Sequence, residues 1–208
     1  MLRIWGRRNS SNVRKVLWTA AVLGIDFELI EAGGAFGGLD TPEFLAMNPN
    51  RLVPVIDHDG FVLWESHSII RYLANEFDEV GALYPSLPQP RAEVDRWLDW
   101  LATTLQPAER AMFFNLIRLP PDQRDLAAIE ASEKSTTRLF HMVEARLASS
   151  RFIAGDTFSL ADIPLGIMAH RYLGMPEITR PDLVHLNSWF QGLNDRPGFA
   201  KYVNTELS

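Results

Sequence analysis

The residues best placed to do chemistry lie in two short stretches, Asn48-Pro49-Asn50-Arg51-Leu52-Val53-Pro54-Val55 and Glu65-Ser66. Pro54 stands before an apolar run with strand character and has no amide proton to give a neighbouring strand. A strand beginning there leaves the amide and carbonyl of Val53 free to pair with something outside the sheet. A cis Val53-Pro54 bond, a geometry that proline makes accessible, would turn that backbone edge toward a cleft. Glu65-Ser66 closes a second short strand and opens a helix, whose first free amides and positive dipole end favour a carboxylate. An extended backbone edge beside an anion site is what a small acidic peptide needs.

The elements that must position these groups fall into two halves. Leu2-Arg3-Ile4-Trp5 alternates as a strand, and Val13, Val16, Leu17, Ala20 and Leu23 recur at helical spacing up to Gly24. Phe27 and Leu29 alternate again, so the order β-helix-β predicts a right-handed parallel crossover. Ala32 to Gly38 holds four glycines and reads as a mobile loop. Val53 to Asp57 and Phe61 to Trp64 flank an Asp59-Gly60 hairpin step, and Ser66 to Phe77 returns to helical period. The first half is therefore βαβ followed by ββα.

Three prolines between Leu83 and Pro90 mark a linker, and no strand is expected beyond it. Val94, Trp97, Leu98, Leu101 and Leu105 form one helical stripe, and Leu126, Ile129, Leu139, Val143 and Leu147 form another. Pro120-Pro121 separates the two. Further helices are expected from Ser159 to Tyr172 and from Asp182 to Leu193. Ser159 and Asp162 have the spacing of a shortened capping box, in which the acid reaches back to the cap amide. That role for Asp162 is structural. The boundaries are residues 1–82 for the mixed domain, 83–90 for the linker and 91–208 for an all-helical domain.

Composition narrows the function. A chain of 208 residues, 47% hydrophobic and 22% charged, is globular rather than disordered. A net charge of −6 without a basic block argues against nucleic acid as a partner. With no cysteine there is no disulfide scaffold, no thiolate metal site and no cysteine nucleophile, which is compatible with the cytoplasm. No metal site is expected. No apolar run approaches 18 residues, so no membrane span is expected.

Taken together, the βαβ-ββα order, the Val53-Pro54 step, Glu65-Ser66, the proline-rich linker and the Ser159/Asp162 box resemble a cytosolic glutathione S-transferase. The resemblance covers essentially the whole chain. Asn9-Ser10-Ser11-Asn12-Val13-Arg14 is similar to the serine-dependent theta- and delta-like bacterial branches. It implies an α+β thioredoxin-like domain followed by an all-α domain, with glutathione as co-substrate.

The resemblance also implies roles. Ser10 would donate a hydrogen bond to the glutathione sulfur and hold it as thiolate, with Asn12 and Ser11 as alternatives; a plain N-cap cluster is the other reading of all three. Val53 would pair through its backbone with the cysteinyl part, next to a cis Pro54. Glu65 would meet the γ-glutamyl ammonium, Ser66 its carboxylate, and Arg51 the glycyl carboxylate. His67 stands where related enzymes often carry an arginine. Trp97, Trp100, Phe113 and Phe114 are candidates for an electrophile pocket, and Arg7 and Arg8 could attract an anionic substrate. Relatives form two-fold homodimers, to which Phe44 or Phe61 could contribute. The implied activity is attack of a glutathione thiolate on a small hydrophobic electrophile. A disulfide reductase or peroxidase without protein cysteine, and a non-catalytic binding module of the same fold, remain open.

Overall fold

The computed structural model describes residues 1–207. Strand β1 (Leu2–Trp5), helix α1 (Ser11–Val22), strand β2 (Phe27–Ile30), strands β3 (Val55–His58) and β4 (Phe61–Trp64) form the first half; a short helix, α2 (Pro42–Met47), precedes β3 and a longer one, α3 (Ser66–Phe77), follows β4. The sheet order is β2-β1-β3-β4. β1 and β2 are parallel, with Leu2 opposite Phe27 and Trp5 opposite Ile30. β3 runs antiparallel to both β1 and β4. Parallel neighbours need a crossover, and α1 supplies it.

Three details depart from the local sequence reading. The glycine-rich loop contains a 3-10 turn over Gly34–Phe36. α2 was not foreseen: Thr41 caps it by accepting from the Phe44 amide at 3.3 Å, and Pro42 opens it. Its six residues are too few for a helical period to show. β3 also starts at Val55 rather than Val53, which leaves Val53 outside the ladder.

The second half is helical throughout. Helix α4 (Pro88–Trp100) begins within the stretch expected as linker. Pro88 and Pro90 sit in its first turn, where a missing amide costs nothing. The chain then passes through a widened π turn (Leu101–Leu105), α5 (Gln106–Phe113) and a second widened turn (Phe114–Arg118). Pro107 cannot bond back to the preceding turn, and the ladder opens just ahead of it. Helices α6 (Leu126–Leu147), α7 (Asp162–Gly174), α8 (Val184–Gln191) and α9 (Phe199–Tyr202) complete the domain.

One apolar core runs through both halves, from Leu2, Ile4 and Trp18 to Leu165, Ile167 and Leu193. Trp18 is fully buried, and a Cβ on Gly166 would come within 2.9 Å of its ring. Glycine at 166 thus lets α1 and α7 approach closely. Half of the expected capping box is present: Asp162 reaches back to Ser159, but α7 begins at Asp162 rather than Ser159, and the Ser159 hydroxyl accepts from the Ala161 amide at 3.3 Å ahead of the helix. Asp162 Oδ2 accepts from the Ser159 amide at 2.9 Å, while Oδ1 accepts from the Ile153 amide and from Trp189 Nε1. No helix among the described residues is long and apolar enough to cross a membrane.

Candidate active site

The Val53-Pro54 bond is cis, as the first stretch suggested. A narrow cavity of about 70 Å³ lies between Leu52, Val53 and Pro54 on one side and Glu65 and Ser66 on the other, with Asn12 also in its wall. Asn48, only 2% exposed, shapes the loop above it. Its Nδ2 donates to the Leu52 carbonyl at 2.8 Å and its Oδ1 accepts from the Asn50 amide at 3.0 Å.

Ser66 is the first residue of α3 and is buried, so the free amides of that helix end face a site for a carboxylate. Glu65 precedes it with φ +73, in the left-handed region that a β-carbon disfavours. A glutamate held in a conformation suited to glycine points to a demand on its side chain.

A second cavity of about 510 Å³ adjoins the first. Ser10, Ser11 and Asn12 all line it, from the turn where β1 gives way to α1. Ser10 occupies the N-cap position, yet its hydroxyl makes no cap bond. Phe113 and Phe114 close the far wall. Asn12 and Leu52 border both cavities.

Beneath Asn12 lies a buried polar relay between the two halves of the chain. Lys15, one turn on, is 1% exposed and donates to Asn12 Oδ1 at 3.0 Å and to Gln106 Oε1 at 2.8 Å. Gln106 Nε2 also donates to Asn12 Oδ1, at 3.2 Å. Burial, aided by the nearby Arg171 charge, pulls the Lys15 ammonium down to about 7, against Glu65 and Glu109. Glu109 is fully buried, and Arg171 Nη2 approaches its Oε2 at 2.8 Å. Burial drives the Glu109 carboxyl upward, while Arg171 and Lys15 draw it back.

Of the residues singled out from sequence, Ser10, Ser11, Asn12, Val53, Pro54, Glu65 and Ser66 converge on this pair of cavities. Arg51 does not: it is exposed, pairs with Asp40 at 3.1 Å and lines neither cavity. Phe113, Phe114 and Arg7 line the larger cavity, whereas Arg8, Trp97 and Trp100 do not, Trp97 packing edge-on against Trp100. His67 is buried, and neither ring nitrogen has a hydrogen-bond partner among the described residues. It lines neither cavity, so it does not take the place of an arginine toward a ligand there. Phe44 is in a small core with Ala32 and Val55, which removes it from a subunit contact. Lys15, Gln106, Arg110, Arg118 and Arg171 were not foreseen. Nothing in their local sequence separates them from ordinary surface positions.

Comparison with known proteins agrees with this geometry. The pattern described as "Glutathione S-transferase, N-terminal domain" matches residues 9–76, and "Glutathione S-transferase, C-terminal domain" matches residues 105–197. The chain is 40% identical to glutathione S-transferase GstB of Escherichia coli K12, over 100% of both chains. It superimposes with a TM-score of 0.95 and 44% identity on a theta class glutathione S-transferase of Xanthomonas axonopodis pv. citri solved with glutathione bound, covering 100% of this chain and 99% of that one. The delta-class glutathione transferase of Nilaparvata lugens matches at a TM-score of 0.84 and 28% identity, over 98% and 93%. With both halves matched and a relative aligned end to end, this chain belongs to the glutathione S-transferase family.

Proposed function

We propose that glutathione lies along the Leu52–Pro54 edge with its sulfur at the junction of the two cavities, where Asn12 stabilises it as thiolate for attack on a small electrophile. The observation that carries this reading is the position of Asn12, the one member of the Ser10–Asn12 cluster that borders both cavities. Its oxygen is already occupied by Lys15 and Gln106, so its Nδ2 hydrogens are the donors left for a ligand. The Ser10 hydroxyl, free of a capping bond, is a second donor from the electrophile side.

In this reading Glu65 meets the γ-glutamyl ammonium, Ser66 and the start of α3 hold the α-carboxylate, and the Val53 backbone pairs with the cysteinyl unit. Arg51 is 61% exposed at its side chain and engaged by Asp40, and contributes long-range charge at most. A cysteine-like thiol with pKa near 8.5 is only a few per cent ionised at pH 7. Lowering it by about two units takes about 2.7 kcal/mol, which one amide donor, one hydroxyl and the α1 dipole can supply together. The thiolate then forms a carbon–sulfur bond as the leaving group departs with its electron pair.

Residues 1–82 would form the glutathione-binding unit. The connection is shortened to 83–87 because α4 begins at Pro88. We further assign a cytoplasmic homodimer. The cysteine-free composition is compatible with the compartment, and the exposed Val62 and Trp64 on one face of β4 offer an apolar surface for a second copy, with Phe61 exposed on the other face.

Titrating glutathione into the protein at neutral pH tests the central point. Thiolate ultraviolet absorbance should appear and should be largely lost in Asn12→Ala. A protein that binds glutathione with no such absorbance is a binding module and not an enzyme of this mechanism. Equal loss in Ser10→Ala and none in Asn12→Ala would move the donor to Ser10.

A further inference from the structure

The larger cavity has a wall chemistry that a neutral hydrophobic substrate does not require. Five arginines line it, Arg7, Arg14, Arg110, Arg118 and Arg171, and no acidic side chain does. They converge in a chain whose net charge is −6. Overall charge therefore does not account for the cluster.

Three of the five have partners that hold them in place. Arg7 Nη1 donates to Asn9 Oδ1 at 2.6 Å, and its side chain packs on Gly34, where a Cβ would lie 2.9 Å from Arg7 Cδ. Arg14 Nε donates to the Arg8 carbonyl at 3.0 Å. Arg171 pairs with buried Glu109 and lies 3.4 Å over the Phe113 ring. Arg110 and Arg118 have no ion pair among the described residues. The positive charges also press on one another. Arg118 is held below the usual guanidinium range by burial and by Arg7, and Arg14 by burial, Arg171 and Arg118. Among the described residues one carboxylate, Glu109, pairs with this group, and it is committed to Arg171.

Apolar side chains line the same cavity, Phe113, Phe114 and Leu52, with Phe113 directly beside Arg171 and Arg118. Its volume of about 510 Å³ suits a small molecule. The γ-glutamyl end of glutathione is assigned to the other cavity, across Asn12, so these arginines are not needed for it.

We propose that the electrophile this enzyme takes carries a carboxylate, which Arg118 and Arg110 bind while the apolar body rests against Phe113 and Phe114. The inference rests on the transferase reading above and names its substrate class. The reaction balances without a further reactant: glutathione loses its thiol proton to solvent, and the sulfur's electron pair forms the new carbon–sulfur bond. The carbon–halogen bond breaks and halide leaves with its pair.

Two electrophiles of equal shape test it, 4-chloro-3-nitrobenzoate and 4-chloro-3-nitrobenzamide. For each, kcat/KM is divided by the uncatalysed rate with glutathione, and the quantity read is the benzoate-to-benzamide ratio. The wild-type ratio should be about tenfold or more, because a hydrogen bond between charged groups distinguishes the two compounds. It should fall by about tenfold in Arg118→Gln and in Arg110→Gln, and should shrink as salt is raised. A wild-type ratio near one, or a ratio unchanged in both variants, overturns the proposal. Turnover of neither compound, in a protein that still shows thiolate absorbance with glutathione, overturns the substrate class alone. Absence of that absorbance overturns the transferase reading, and the substrate class with it.

Discussion

Lys15 Nζ donates to Asn12 Oδ1 across one turn of α1, at 3.0 Å, from a position that is 1% exposed. In its protonated form Lys15 has no acceptor, and Gln106 Nε2 donates to the same atom at 3.2 Å, so the two contacts together fix which end of the Asn12 amide is oxygen. The amide's two hydrogens are then left for the cavities that Asn12 borders. Lys15→Met keeps the volume and releases the amide. The pKa of bound glutathione, followed by thiolate absorbance, should rise by about one unit, equivalent to about 1.4 kcal/mol. Asn12→Ala should cost about tenfold to a hundredfold in kcat/KM, the value of one hydrogen bond to a charged group. An unchanged thiol pKa in Lys15→Met would show that Lys15 only fills space.

Glu65 combines a positive φ with a place at the narrow cavity, so stability and binding should move in opposite directions there. Glu65→Gly relieves the backbone and should raise unfolding stability by about 1 kcal/mol, after allowing for glycine's greater freedom in the unfolded chain. The same change should abolish measurable glutathione affinity. Thermal unfolding and calorimetric titration on one preparation check both halves. A variant that binds glutathione as well as the wild type would remove Glu65 from the site.

His67 gives a pH dependence whose sign follows from burial. Burial, with Lys15 and Arg71 nearby, holds its imidazole neutral down to about 2, whereas the unfolded chain protonates it at the ordinary 6.5. Below 6.5 the unfolded state takes up the additional proton, so stability falls as pH falls. Between pH 7 and pH 5 the wild type should lose about 2 kcal/mol more than His67→Leu. Urea unfolding at the two pH values measures it, and parallel losses would place the acid sensitivity elsewhere.

Asp162 is a structural carboxylate with no path to the cavities. Burial pushes it up to about 6, against hydrogen bonds from Ile153, Ser159 and Trp189, so it remains ionised at neutral pH. Asp162→Ala leaves four donors without their partner, the Ile153 and Ser159 amides, the Ser159 hydroxyl and Trp189 Nε1, and should cost about 4 kcal/mol of stability. The thiol pKa of glutathione bound to the folded variant should not change. A shift in that pKa would contradict a purely structural role.

Much of the fold was legible because its signals are local. Alternation at Leu2–Trp5, helical spacing from Val13, and Asp59-Gly60 between two strand-like runs each set an element within a few residues. That Val53-Pro54 and Glu65-Ser66 meet at one cavity was legible because the signals belong to the backbone and to a helix end. α2 escaped because six residues carry too little periodicity, and α4 started early because proline both breaks helices and opens them.

The chain alone thus determined the order of elements, the helical second half, the free backbone edge at Val53-Pro54 and the three residues proposed as thiol donors. Tertiary structure decided which of those three borders both cavities, and that Lys15 is buried beneath it. It also gathered arginines from positions 7, 14, 110, 118 and 171 around one cavity. The reason is physical: hydrogen-bonding preference and periodicity act between near neighbours, whereas burial and summed charge depend on which distant segments pack together.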